Sequence, residues 1–237
     1  MGRALTALRY LGPLLLTATT WGQQYKADKA GAPPPEVAAG IWQALDPKGF
    51  QISAQPGAPY CELWLRERVS GVTASPGGTA SPGGTVSPGG TASPGGTASG
   101  EQNVTLSGIP PGTLLGVIRF DSQGSDRRGQ KIEAGVYTLR YGIMPSNIDH
   151  EGAAPQRDFL LLVPAAEDRD LNAIPNFDSL VAMSRKASHT PHPAVLSFWK
   201  ADADSPGFSQ HGDIDWVLQS KVGDIPIAII VVGTTAG

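Results

Sequence analysis

The chain has 237 residues, of which 40% are hydrophobic and 16% are charged, and its formal net charge is −3. Such a mildly acidic chain is a poor binder of nucleic acid or of anionic membranes. Its length is sufficient to bury a large core without cross-links, and its single cysteine, Cys61, excludes a disulfide bond within the chain.

The first 22 residues have the order of a secretory signal peptide. Arg3 and Arg9 precede an apolar stretch at 11–16, and small residues follow up to Gly22. The apolar stretch is well short of the roughly 20 residues that cross a bilayer. We therefore expect cleavage after Gly22, export to the periplasm or the exterior, and no membrane span in the mature chain.

Residues 23–35, which follow the expected cleavage site, are polar and rich in proline. This composition offers little apolar surface to bury, so we expect a flexible N-terminal segment.

Two segments have the apolar spacing of short helices. Val37, Ile41 and Leu45 lie four residues apart and predict a helix over 36–45. A second helix is expected to begin after Asn176, because this side chain can cap the first turn and apolar residues recur along one face behind it.

The remaining apolar segments predict strands. Alternation of apolar and polar residues predicts a strand over 61–69, and the chain is expected to return to the sheet near 103–106. Further strands are predicted at 113–120, 135–143, 158–164, 194–199, 214–222 and 225–232. Seven or eight strands with two short helices indicate a mainly β fold, an antiparallel β-sandwich or jelly-roll-like domain.

A low-complexity tract, residues 71–100, interrupts this series with repeats of the sequence SPGGTA. Proline and glycine favour turns, and the tract has too few apolar residues to offset the entropy lost on ordering. If the tract separated two domains, the first would be too small to fold alone and would expose a strand edge. We therefore expect a single domain over 36–237, with the tract as a long disordered loop inserted in it.

Histidines are the strongest candidates for metal chemistry. His150, His189, His192 and His211 lie between predicted strands, and together with Asp213 they could coordinate zinc if the loops meet at one end. Their spacing is not diagnostic, and ordinary hydrogen bonding in turns is the alternative. Residues 202–213 partly resemble a calcium loop, but proline occupies its fifth position.

Aromatic side chains on predicted strands offer a second kind of site. Tyr141, Trp199 and Trp216, together with Trp64, could stack against a sugar or another small molecule. Strand aromatics also form cores and cross-strand pairs, which is the alternative interpretation. The partner on this hypothesis is a small molecule, a glycan or a protein.

Four blocks, LLGVIRF, GVYTLRYGIMP, APQRDFLLLVPA and HPAVLSFWK, resemble a group of uncharacterised exported bacterial proteins. The Gly-x-Tyr-Thr-Leu strand is more distantly similar to a domain-of-unknown-function family of secreted β proteins. The resemblance covers most of 60–237 apart from the repeat tract. It implies export and a β fold, and it implies no catalytic residue.

The chain contains no Gly-x-Ser-x-Gly nucleophile motif. We therefore expect an exported, non-catalytic β-sandwich that binds a ligand or partner through loops at one end. The alternatives are a metal-dependent enzyme that uses the loop histidines and a cell-surface structural or assembly protein.

Overall fold

The computed structural model describes residues 24–55, 57–69, 104–145, 156–202 and 206–233. The predicted signal peptide, the repeat tract and His150 lie outside these ranges. Within them, no helix is long and apolar enough to span a membrane.

The described residues form twelve strands and two helices. The strands are β1 (Gln24–Lys29), β2 (Phe50–Gln55), β3 (Pro59–Leu65), β4 (Leu114–Phe120), β5 (Gly124–Ser125), β6 (Lys131–Ile132), β7 (Gly135–Ile143), β8 (Asp158–Pro164), β9 (Val195–Lys200), β10 (Gly207–His211), β11 (Asp215–Val222) and β12 (Ile225–Val232). The helices are α1 (Ala39–Trp42) and α2 (Phe177–Ser188). The prediction of a mainly β antiparallel domain with two short helices is confirmed.

Ten strands form one continuous sheet in the order β1-β2-β3-β4-β7-β8-β9-β12-β11-β10, and every neighbouring pair is antiparallel. The sheet is rolled, so that the first and last strands approach each other and the ring centroids of Tyr25 and Trp216 lie 5.7 Å apart. Strands β5 and β6 form a separate two-stranded ribbon.

The main core lies inside the rolled sheet. Alternate residues of each strand point inward, as in β7, where Tyr137, Leu139 and Tyr141 are buried among Leu160 and Leu162 of β8. One apolar cluster therefore joins residues from both halves of the sheet.

Two covers bury parts of the outer face. Helix α2 packs Leu180 against Phe159 and Leu161 of β8, while α1 packs Ile41 against Trp64. These covers explain why several strands are buried on both faces and do not show simple alternation of apolar and polar residues.

The ends of the two helices follow from local chemistry. Asn176 caps α2, because its side-chain oxygen accepts a hydrogen bond from the Ser179 backbone N–H at 2.9 Å. Helix α1 is shorter than the predicted 36–45, but the three residues whose spacing predicted it are all buried: Val37, Ile41 and Leu45.

The prediction of a flexible segment over 23–35 is wrong for Gln24–Lys29, which form β1 and pair with β2 along their whole length. Tyr25 and Ala27 pack inward against the core. The return to the sheet near 103–106 is also different from the prediction, since 104–113 contains no strand and the described sheet resumes at Leu114.

The antiparallel order places the connections at two ends of the sheet. Strands β1, β3, β7, β9 and β11 finish at one end, which we call the cleft end, and β2, β4, β8, β10 and β12 finish at the opposite end. Arg66 and Val69 leave the sheet at the cleft end, whereas the turn between β10 and β11 lies at the opposite end.

Candidate ligand-binding cleft

In the part of the chain that the structure describes, no strand ladder joins the first and last strands of the rolled sheet. Strands β1 and β10 are the two edges of the sheet order, and neither is a ladder partner of the other. Aromatic contacts hold one part of this seam, since Tyr25 lies edge-on to Trp216 and Phe208 stacks on Trp216 at 5.5 Å. Between the rest of β1 and the start of β10, a cleft of about 1160 Å³ opens toward the cleft end.

The floor of the cleft is the apolar inner face of the sheet. Leu65 and Leu218 are buried there, while Ala27, Phe50 and Phe208 pack against the core and remain partly exposed. Apolar side chains that belong to the core are thus accessible from solvent along the seam. Concave sites lined mainly by apolar groups are typical places for small molecules to bind.

Charged side chains surround this floor. Eight of the lining residues carry charge, and five of them are basic: Lys26, Lys29, Lys48, Arg66, Lys221, Asp28, Asp46 and Glu67. Lys26 and Asp28 form an exposed ion pair at 2.7 Å. The rim therefore carries an excess of positive charge.

The turn between β11 and β12 lies at the cleft end and lines the cleft through Gly223. Gly223 takes a φ of 60°, a left-handed conformation that glycine adopts without a steric penalty. This allows the chain to reverse over two residues, Gly223 and Asp224, between Val222 and Ile225. The reversal keeps Ser220 and Lys221 of β11 beside the cleft.

Arg66 directly follows β3 and borders the cleft, and its side chain has few hydrogen-bond partners. Its backbone is held by a hydrogen bond from its N–H to the Leu115 carbonyl at 2.8 Å, next to the end of β3. Its Nη1 donates to the Leu114 carbonyl at 3.2 Å, and its Nε is buried without an acceptor. Among the described residues, no carboxylate lies within ion-pair distance of the Arg66 side chain.

The electrostatic surroundings of Arg66 disfavour its charge. Burial, and then the positive charge of Arg140, lowers the pKa of the Arg66 guanidinium. Because an arginine stays protonated in proteins, the charge persists at an energetic cost that an anion nearby would reduce.

The structure separates the three aromatic residues predicted to bind a ligand. Tyr141 is fully buried in the core, where its hydroxyl donates to Asp158 Oδ1 at 2.6 Å. Trp199 packs half-buried on the outer face against Ala228. Only Trp216 adjoins the cleft, through its stacking on Phe208, so the three rings do not share one surface.

The described histidines lie at the end of the sheet opposite the cleft. His189 is the left-handed C-cap of α2, His192 follows it, and His211 ends β10 just before Asp213; all four side chains are exposed. In the part of the chain that the structure describes, no three histidine, cysteine, aspartate or glutamate side chains lie close enough to hold a metal ion. His150 falls outside that part.

The calcium-loop interpretation of 202–213 does not fit the backbone. Residues Gly207–His211 form β10, and their extended conformation separates Asp202 from Asp213. A calcium loop needs these carboxylates to converge within a compact twelve-residue turn.

Two other potentially reactive residue types lie on strands of the sheet. Cys61 is buried on the inner face, and burial raises the pKa of its thiol well above the ordinary value. Ser197 and Lys200 match a Ser-x-x-Lys pattern, but both lie on β9, where residues three apart point to opposite faces.

The chain matches no protein-family model, and neither a curated protein nor a solved structure shows significant similarity to it. The resemblance to exported β proteins therefore stays a prediction. Sequence reasoning missed strand β1, one edge of the cleft, because it treated residues 24–29 as loose; the alternation of Tyr25 and Ala27 with charged residues was the available signal for this strand.

Proposed function

We propose that this protein is an exported, non-catalytic binding protein that takes up a small ligand with an apolar part in the cleft between β1 and β10. Export rests on the signal-peptide pattern of residues 1–22. Binding rests on one observation: the rolled sheet is open along its seam and leaves core side chains such as Phe50 and Phe208 partly exposed.

Energetics support a ligand at this place. Each square ångström of apolar surface removed from water contributes about 25 cal/mol, so a ligand that covers the cleft floor gains free energy from both surfaces. The floor is held by the sheet, so a ligand needs to order little additional chain when it binds. Edge strands that face solvent are also prone to association, and an occupant of the seam would shield both.

The test uses the mature chain and an uncharged fluorescent probe, N-phenyl-1-naphthylamine, whose emission rises in apolar surroundings. We expect saturable binding to the wild-type protein. The variant Ala27→Phe places a ring on the cleft floor and should weaken the affinity at least tenfold. Ala182→Phe, which adds the same ring to an exposed position of α2, should leave the affinity unchanged.

Two outcomes would overturn the proposal. The first is the absence of saturable binding to the wild-type chain. The second is equal loss of binding in Ala27→Phe and Ala182→Phe, because that result would place the probe on a general hydrophobic surface and not in the cleft.

A further inference from the structure

Resting on the proposed function, we infer that the ligand of this cleft is an extended peptide segment, with apolar and acidic side chains in alternation, that adds a strand to the free edge of β1. The inference comes from the backbone of β1. Among the described strands, β1 has a ladder partner on one side only, and its other edge borders the cleft. Addition of a peptide strand to an exposed sheet edge is a recurring mode of recognition.

The hydrogen-bond pattern determines which backbone groups of β1 face the cleft. Ala30, the residue after β1, donates its N–H to the Gly49 carbonyl at 3.0 Å, in continuation of the register between β1 and β2. Opposite pairs of an antiparallel ladder alternate between hydrogen-bonded and non-hydrogen-bonded ones, so every second residue before Ala30 also bonds to β2. The residues between them, Tyr25, Ala27 and Lys29, therefore direct their N–H and C=O groups away from β2 and toward the cleft.

Two of these three residues lie along the open part of the seam. Tyr25 contacts Trp216, which closes the seam at that end, whereas Ala27 and Lys29 lie nearer the cleft end. Ala27 and Lys29 together present two N–H and two C=O groups, about 7 Å apart along the strand. A peptide strand antiparallel to β1 can pair with all four groups, and every neighbouring pair in the sheet has this relative direction.

These backbone groups favour a peptide over a purely apolar ligand. An alkyl chain laid along β1 would remove the N–H and C=O groups of Ala27 and Lys29 from water without bonding them, which costs free energy. A peptide strand replaces the lost water with hydrogen bonds of its own. The same floor can therefore hold a peptide at a smaller desolvation cost.

The opposite wall of the cleft offers less for pairing. Strand β10 begins at Gly207, directly after Pro206, and both residues line the cleft. Proline has no N–H to donate, and a Cβ atom at Gly207 would meet nothing within 4 Å. Open space thus lies beside the start of β10, and β1 is the edge with the regular series of donors and acceptors.

The surroundings select the side chains of the peptide. Directly opposite residues of an antiparallel pair have their side chains on the same face, so the side chains opposite Ala27 and Lys29 lie over the floor that Phe50 and Leu65 form. Apolar groups fit there. The side chains between them point to the outside, where basic residues of the rim outnumber acidic ones by five to three. Acidic groups complement that excess of positive charge.

The experiment uses the hexapeptide acetyl-Glu-Val-Glu-Val-Glu-Val-amide, which should displace N-phenyl-1-naphthylamine from the wild-type chain. In an antiparallel pair with β1, its valine side chains lie over the floor and the valine N–H groups point to β1, while the glutamate N–H groups point away. Methylation of the valine backbone nitrogens should therefore weaken binding about tenfold or more, at about fivefold for each lost hydrogen bond. Methylation of the glutamate nitrogens should leave the affinity within about threefold.

Variants of Ala27 assign the binding to the edge of β1. Ala27→Pro removes the N–H that points to the cleft and leaves the ladder with β2 intact, since proline is tolerated on an edge strand. It should weaken binding of the hexapeptide about fivefold or more, while its affinity for N-phenyl-1-naphthylamine stays within about threefold and shows that the cleft is folded. Ala27→Val is the matched control, because it adds a similar volume and keeps the N–H, and it should bind the hexapeptide like the wild type. If Ala27→Pro does not fold, the two methylated peptides decide.

The two proposals fail differently. If the neutral probe does not bind the wild-type chain, the proposed function is overturned. If the probe binds but the hexapeptide does not displace it, or if valine methylation weakens binding no more than glutamate methylation, the cleft takes other ligands and the inference is refuted. Sedimentation equilibrium tests a second copy of this chain as the occupant, and a dimer that Ala27→Pro abolishes would also refute the inference.

Discussion

The buried ion pair between Arg140 and Asp168 carries the largest single stability prediction for this fold. Arg140 projects from the outer face of β7 and is fully buried; its Nε and Nη2 donate to the two Asp168 oxygens at 2.7 and 2.6 Å. The remaining donors bind the carbonyls of Gly112 at 2.8 Å, Asp170 at 2.7 Å and Ala173 at 2.5 Å. The guanidinium thus binds two loops to the outer face of β7: the loop before β4, through Gly112, and the loop between β8 and α2, through the other three residues.

Removing one partner of this pair should be costly. Asp168→Asn keeps the size of the side chain but leaves the Arg140 charge without a counterion, which in buried pairs costs about 3–5 kcal/mol. A single domain is stable by only about 5–15 kcal/mol, so this is a large share. Arg140→Met leaves the buried Asp168 carboxylate without a cation, although it keeps the hydrogen bond from the Thr138 hydroxyl. It also removes the guanidinium bonds to three carbonyls, at about 1 kcal/mol for each lost neutral hydrogen bond in addition to the charge.

The double variant separates the charge from the hydrogen bonds. In Arg140→Met/Asp168→Asn no unpaired charge is left, so its cost should be about 3 kcal/mol less than the sum of the two single variants. Urea unfolding of the mature chain measures the free energy of unfolding of each variant. An unchanged dependence of that free energy on urea concentration would show that the variants expose the same surface on unfolding as the wild-type chain. The matched control is Lys186→Ala, which breaks an exposed ion pair with Glu167 and should cost less than about 1 kcal/mol.

Two results would refute this reasoning. One is a loss in Asp168→Asn no larger than that in Lys186→Ala. The other is strict additivity of the single variants, since additivity would mean that the two buried charges do not depend on each other.

Three further predictions concern the core and the repeat tract. Cys61 should resist alkylation by iodoacetamide until the protein unfolds, and labelling of the native chain at the rate of a free thiol would contradict its burial. Burial raises the pKa of both Cys61 and Tyr60, so the folded state favours their protonated forms. The free energy of unfolding, measured with urea, should therefore fall as the pH rises above about 9, where these groups begin to ionise in the unfolded chain. A constant free energy of unfolding from pH 8 to 11 would contradict this. Deletion of residues 73–96 should change the midpoint of thermal unfolding by no more than a few degrees, and a larger loss by calorimetry would show that the repeats pack.

The strands that sequence predicts best are those with many inward apolar residues. The predicted boundaries 135–143, 158–164 and 225–232 coincide with β7, β8 and β12, because their apolar runs end at glycine, proline or charged residues. Strands β1 and β10 are short edges with only one or two inward apolar side chains each, so their periodicity is weak. Trp64 alternates with Leu63 and Leu65 and so belongs to the same face of β3 as the charged Glu62, but the cover formed by α1 buries it, and that contact is not visible in the local pattern.

The cleft itself could not be predicted from local patterns, because it exists only where the first and last strands of the sheet, β1 and β10, do not pair with each other. Whether β1 pairs with β10 is decided by the roll of all ten strands, a property spread over the whole chain. Arg66 has no distinguishing neighbourhood in the sequence, where it is one of several charges after Leu65. Its pKa is lowered by burial and then by the charge of Arg140, which lies 74 positions later in the sequence.

The chain is anchored on both sides of the repeat tract, and this bears on how the tract can vary. Before it, Val69 packs against the main core. After it, the buried Asp158 carboxylate accepts hydrogen bonds from the Thr105 N–H at 2.7 Å, the Thr105 hydroxyl at 3.0 Å and the Leu106 N–H at 3.2 Å. With both ends held, the cost of closing a flexible loop changes by only about 0.6 kcal/mol for each doubling of its length. The number of repeats should therefore be free to change without disturbing the sheet.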